Sequence, residues 1–319
     1  MQNNLHEYLQ DIANAIMEKK GDKEPLNAQN FADEIRNLPS GGGSKWTGHA
    51  DAEGLRAIGW DDEDIAYYQQ YGVNWNEEDD EYHKVSDDNK ALYGVLNAKN
   101  IQTYRDRIVY LPKIDTSKVN SILLNGAINL VAIPFIDTSH FTSMEYMFEA
   151  CTALICIPPL DTSSVTSMNR IFYGCRALTF VPQLDTSKVT NMSYAFCSAY
   201  GLNAIPNIDT SQVTNMSFMF YEARQLIRIP SLVVASATNI SSIFSNTLAL
   251  QYIHLSGLKM SLSIPSALFS KESLLYIINN EAATEPITIT LHSYAYTRLA
   301  EDAEVKAALA EHPNVSLAK

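Results

Sequence analysis

Residues 184–196 read LDTSKVTNMSYAF. Upstream, 160–172 read LDTSSVTSMNRIF, and downstream, 208–220 read IDTSQVTNMSFMF. The Asp-Thr-Ser triplet starts at Asp115, Asp137, Asp161, Asp185 and Asp209, in steps of 22, 24, 24 and 24. A further step reaches Val233, where the apolar pattern persists and the triplet is gone. A period of this length is the mark of an array in which one coil cannot bury its apolar face alone and stacks on its neighbours. A repeat solenoid is therefore expected over 108–280.

One coil can be laid out from its residue types. LTFVP at 178–182 has the short apolar look of a strand closed by proline. Its counterparts are IVYLP at 108, LVAIP at 130, LICIP at 154, LNAIP at 202, LIRIP at 226, LQYIHL at 250 and LLYII at 274. Asp-Thr-Ser makes a turn in which short polar side chains bond nearby amides. The next segment spaces Val189, Met192, Phe196, Ala199 and Leu202 by three and four, which predicts a short helical piece with one buried face. Stacking should place Phe172, Phe196 and Phe220 over one another. The repeated words are packing and turn chemistry in preference to catalysis: a serine nucleophile needs a base, and no histidine recurs at a fixed offset. Cys151 and Cys175 share one register that Ala199 and Ala223 fill later, so they read as small apolar filler and not as a disulfide or zinc pair. No cofactor and no metal site is expected.

The pattern LDTSxVTNMSxMF…C…LxxIP resembles the BspA-like leucine-rich repeats, in the branch also seen in mycoplasma-type surface lipoproteins, over residues 108–256. The resemblance implies a leucine-rich-repeat-like α/β right-handed coil with a parallel sheet on one side. It also implies an adhesion or interaction module without catalytic residues. Recognition should lie where the strand segments vary: Val131, Ile155, Thr179, Phe180, Asn203, Ile227, Arg228, Gln251 and Tyr252. Eight rungs would give a face on the order of 35–40 Å long.

The chain has 319 residues and a net charge of −13. The acidity is local. Residues 51–90 carry 13 acidic and 3 basic side chains, a net of −10, while 108–272 carry 9 of each. No basic patch is large enough for a phosphate backbone, which argues against nucleic acid. No run of 18 apolar residues occurs, so no membrane insertion is expected. The opening residues lack the regions of a secretory signal, so synthesis in the cytosol is expected, with the four cysteines as thiols.

Before the repeats, Leu5, Leu9, Ile12 and Ile16 mark one face of a helix over 4–20, and Ala28, Phe31, Ile35 and Leu38 mark a second. This α-helical hairpin, 1–39, reads as an attachment or oligomerisation element, followed by a Gly/Ser linker at 40–45. YLQDIANAIMEKKG…NAQNFADEIRNLP resembles the N-terminal segment of many bacteriophage tail and fibre proteins. Residues 46–107 form a small acidic, mainly helical domain, similar to a segment that precedes the same repeats in predicted proteins of gut bacteria and their phages. Within it, Asp61, Asp62, Glu63 and Asp64 open a helix at its positive dipole end. NWNEEDDEYHK at 74–84 reads as a solvated acidic face, because it lacks the spacing of a calcium loop. Trp46, Trp60 and Trp75 read as core in preference to a sugar platform. Residues 281–319 should cap the coil with a strand at 287–292, a helix at 297–311 and a strand at 315–318.

The combined expectation is a non-enzymatic virion appendage, a tail or fibre component of a bacteriophage. It would join other virion proteins or sister subunits through residues 1–39. It would bind a host-surface protein or glycan through the coils. A bacterial cell-surface adhesion protein is the first alternative. A glycan-degrading fibre enzyme, which would need a carboxylate pair in a cleft, is the second.

Overall fold

The structure is a computed structural model that describes residues 55–56, 60–69, 105, 108–111 and 113–319. The chain divides into two compact units, 1–47 and 48–319. The expected hairpin with Leu5, Leu9, Ile12, Ile16, Phe31 and Ile35 lies outside the described residues, as do Trp46, Trp75 and the segment 74–84. Most of the acidic segment expected at 46–107 also lies outside the described residues.

Each 24-residue coil lies on the next in parallel register. Bridges link Ser143 to Ser167, Ser167 to Asn191, Asn191 to Asn215, and Asn215 to Asn239. Inside the stack, Phe148, Phe172, Phe196, Phe220 and Phe244 form one column with ring centroids 5.6, 5.7, 5.6 and 6.0 Å apart. Val189, Met192, Phe196, Ala199 and Leu202 are all buried, as are their equivalents in neighbouring coils. Cys151, Cys175, Ala199 and Ala223 fill one internal slot, and all four cysteines are free thiols.

The apolar spacing of three and four does not make a helix. Residues 113–250 contain no α-helix. The segment after Asp-Thr-Ser is instead a run of tight turns. Ala195 N–H donates to Met192 O and Ala199 N–H to Phe196 O, and the third residue of each turn, Tyr194 or Ser198, has φ of 59° or 57°. A positive φ at that position matches a type II turn. Two successive turns of this kind also bring every third or fourth residue inward, so their pattern mimics one face of a helix. The left-handed positions repeat in two registers: Tyr146, Arg170, Tyr194, Phe218 and Ser242, then Gly126, Ala150, Gly174, Ser198, Glu222 and Asn246. Only two of the eleven are glycine. The other nine carry a cost of about 1 kcal/mol each, offset by the bonds that this geometry allows. Alternate amides point to the next coil: Met192 to Asn215 O at 2.9 Å, Tyr194 to Ser217 O at 3.0 Å, Phe196 to Met219 O at 2.9 Å and Ser198 to Tyr221 O at 2.7 Å.

The proline-ended segments are joined more sparsely. Thr179 N–H donates to Ile155 O, and Ile227 N–H to Asn203 O, both at 2.9 Å. Among the described residues, extended pairing on this side reaches strand length only in β1 (Arg228–Val233) with β2 (Tyr252–Ser256). The continuous eight-rung sheet is therefore not formed. LLYII, expected as the last rung, lies in a helix, α2 (Lys271–Asn279), because Ser270 caps it by accepting from Ser273 N–H and Leu274, Ile277 and Ile278 share its buried face.

Helices sit at the two ends of the unit. At the front is α1 (Asp62–Gln69). At the back, β3 (Leu262–Ile264), β4 (Ile287–Leu291) and β5 (Val315–Ala318) form a parallel sheet in that order. The expected cap strands are β4 and β5, and β3 brings the cap forward of residue 281. The single helix expected at 297–311 is two: α3 (Ser293–Leu299) and α4 (Ala303–Glu311). Asp302 ends the first possibility of a continuous helix by accepting from the Glu304 and Val305 amides, a cap for α4.

Candidate interaction surface

The polar residues of the repeat are committed to the scaffold. Asp185 Oδ1 accepts from Ser187 N–H at 3.0 Å and from Ser187 Oγ at 2.7 Å, an Asx turn repeated at Asp137 and Asp161. The serine hydroxyl and amide hold these carboxyls below the usual range. The threonines are buried and join coils. Thr186 Oγ1 donates to Asp209 O at 2.9 Å and accepts from Asp209 N–H at 2.8 Å, and Thr162 and Thr210 do the same one coil before and after. A second Asx turn, absent from the sequence reading, uses Asn191, Asn215 and Asn239, whose Oδ1 atoms accept from Ser193, Ser217 and Ser241 N–H. Burial pushes the Cys151 and Cys156 thiols up to about 12 and Cys197 to about 11, and drives Cys175 well above its ordinary value. Among the described residues no group of three or more His, Cys, Asp or Glu is placed to hold a metal ion.

At the front end, Trp60 is core: it is 2 % exposed and its Nε1–H donates to Leu111 O at 2.7 Å. Asp61 and Asp64 cap α1 reciprocally, each carboxylate accepting the other's amide at 2.9 Å. Lys113 Nζ lies 2.7 Å from Asp61 and 2.9 Å from Asp64. That ammonium and the Asp64 amide lower Asp61 to about 2. Asp64 is fully buried and also accepts from Phe135 N–H at 2.7 Å. Asp61, Asp62, Glu63 and Asp64 open a helix as expected, the first three exposed, but Asp64 is a structural anchor between α1 and the first coils.

Of the predicted recognition residues, Thr179, Phe180, Asn203, Ile227 and Arg228 are exposed, and Ile155, Gln251 and Tyr252 are half-buried. Val131 is 5 % exposed and leaves the set; the second coil turns it inward beside Ala132 and Ile133. The remainder form a column along the stack. Ile155 and Thr179 are bonded through their backbones, as are Ile227 and Gln251. The Arg228 guanidinium lies 5.0 Å from the Tyr252 ring centroid.

A second stripe runs along the turn side. Arg170 lies over Tyr194 at 4.8 Å and Tyr173 at 5.1 Å, and pairs with Glu149 at 3.0 Å. Tyr194 stacks on Phe218 at 4.7 Å with ring planes 4° apart. The signal was present in the sequence: the second residue after each repeat methionine is Tyr146, Arg170, Tyr194 or Phe218. These rings face one another, so the stripe reinforces the stack and offers edges and not open faces to solvent. No curated protein matches the chain. Residues 110–179 and 142–255 are similar to a family described as Mycoplasma protein of unknown function, DUF285.

Proposed function

We propose that the chain is a non-enzymatic interaction protein in which leucine-rich-repeat-like coils form a solenoid that presents a recognition column, carried by a bacteriophage virion as a tail or fibre component. The observation that carries the recognition reading is the contrast along Ile155, Thr179, Phe180, Asn203, Ile227, Arg228, Gln251 and Tyr252. These side chains differ from coil to coil and reach solvent, on a scaffold whose recurring Asp, Thr, Asn and Ser groups bond one another. A column of mixed apolar, amide and cationic groups suits a protein or glycan partner. Attachment through residues 1–39 rests on the resemblance of that segment to phage proteins.

The second reading is a bacterial cell-surface protein; the similarity to a family described as a Mycoplasma protein supports a bacterial source only. Electron microscopy with a gold-labelled antibody against the chain separates the two. Label on particles supports the appendage, and label on the envelope of uninfected cells supports the surface protein. Binding of the purified chain to bacterial cells should fall when Ile227→Asp and Arg228→Glu are combined, with the thermal midpoint unchanged. Retained binding by that variant would remove the column from the proposal.

A further inference from the structure

Each of the four coils from Met144 to Glu222 turns four backbone N–H groups toward its successor. In the coil 214–222 the donors are Met216, Phe218, Phe220 and Glu222, and the acceptors are the carbonyls of Asn239, Ser241, Ile243 and Ser245, at 2.9–3.0 Å. One coil further the equivalent donors are Ile240, Ser242, Phe244 and Asn246. Among the described residues none of these four amides meets an acceptor. Their backbone is nevertheless set as in the occupied coils, with φ of 53° at Ser242 and 63° at Asn246. The chain does not supply the missing turn segment. After β2 it leaves at Gly257, whose N–H donates to Asn280 O at 2.7 Å, and then enters β3, which pairs with β4. Between Thr238–Ile243 and Met260–Ser263 a groove of about 320 Å³ is left open.

We infer that this groove is a docking site for an extended, uncharged polypeptide segment of a partner protein, whose alternate carbonyls accept from Ile240 and Ser242, the two of these donors that line it. The occupant's chemistry is set by precedent within the chain: the same donor set is filled by backbone carbonyls in each coil from 142 to 222. The groove continues that coil–coil interface. Its lining is Thr, Asn, Ile, Ser, Met and Leu with no cationic side chain, and the donors are spread along the coil without converging on one point, so an anion fits poorly. Small side chains at Ser241, Ser242, Ser261 and Ser263 leave room for a backbone to approach. This site is separate from the recognition column and does not depend on the virion reading.

The probe is a peptide with the sequence of residues 237–247, ATNISSIFSNT, added to the isotope-labelled full chain. In the free chain the Ser242 and Asn246 amides should exchange with solvent much faster than those of Phe218 and Glu222. The peptide should give saturable shifts confined to 238–246 and 260–263, and slow Ser242 exchange about tenfold at a free concentration near ten times its Kd. Ser263→Trp, which fills the groove from an exposed position, should abolish the response and leave the thermal midpoint in place. Four results would overturn the inference: no saturable shift, the same shifts with inorganic phosphate, Ser242 already protected in the dilute free chain, or protection that rises with chain concentration alone, which would make the occupant a second copy.

Discussion

The two sides of each coil are held together by different means. On the turn side, four N–H groups per coil cross to the next, buried threonines add side-chain bonds, and the stacked phenylalanines lie beneath. On the proline side, backbone bonds between coils are fewer until β1 pairs with β2. The sequence follows this division. It repeats Asp-Thr-Ser, Asn-Met-Ser and Phe where backbone and side chain are both committed. It varies between the leucine and the Ile-Pro, where only side chains are at stake. Repetition therefore marks what holds the stack, and variation marks what the stack can present.

Substitutions can break that contrast. The largest effect should come from Phe196→Ala, which removes a ring with neighbours stacked on both faces and should cost about 3–5 kcal/mol in denaturant unfolding. Thr186→Val keeps the shape but leaves the Asp209 amide and carbonyl without their shared partner, a loss of roughly 1–3 kcal/mol. Ala150→Gly relieves a left-handed residue with φ of 57° while its amide still reaches Tyr173 O, so the protein should gain about 1 kcal/mol. On the proline side, Ile227→Ser and Asn203→Ala should each change stability by less than about 0.5 kcal/mol. A cost near that of Thr186→Val at these positions would erase the distinction.

Two chemical probes sharpen it. The four thiols should resist alkylation at mild alkaline pH until the chain unfolds, with Cys197 the first to react because burial raises it least. At the front end, Asp61 is held at about 2 in the folded chain against an ordinary 3.8. A carboxyl depressed by folding contributes stability that is fully present above its unfolded value and disappears as pH falls through the folded one. The contact of α1 with Lys113 should therefore weaken between pH 4 and pH 2, and Lys113→Met should move the Asp61 midpoint, followed by NMR, back toward 3.8.

The pitch, the buried column and the Asx turns could be read from the sequence because each depends on residue type at a fixed interval. The turn conformation could not. Met192, Phe196 and Ala199 carry the same spacing in a helix and in paired type II turns, and only the direction of the Tyr194 and Ser198 amides separates the two. LLYII was indistinguishable from the earlier apolar segments until Ser270 is seen capping it. Asp64 reads as one more carboxylate at the start of a helix, since its partners Lys113 and Phe135 lie 49 and 71 residues away. Val131 was lost from the recognition set for a related reason. Strand alternation was assumed along a segment that is not an extended strand in that coil.

Amide hydrogen exchange across the coil 190–206 tests the division between the two sides most directly. Met192, Tyr194, Phe196 and Ser198, bonded to the next coil, and Ala195, Cys197 and Ala199, bonded within the turns, should be strongly protected, and Asn203 and Ala204, with no cross-coil donor bond of their own, should exchange quickly. Equal protection on both sides would contradict the account.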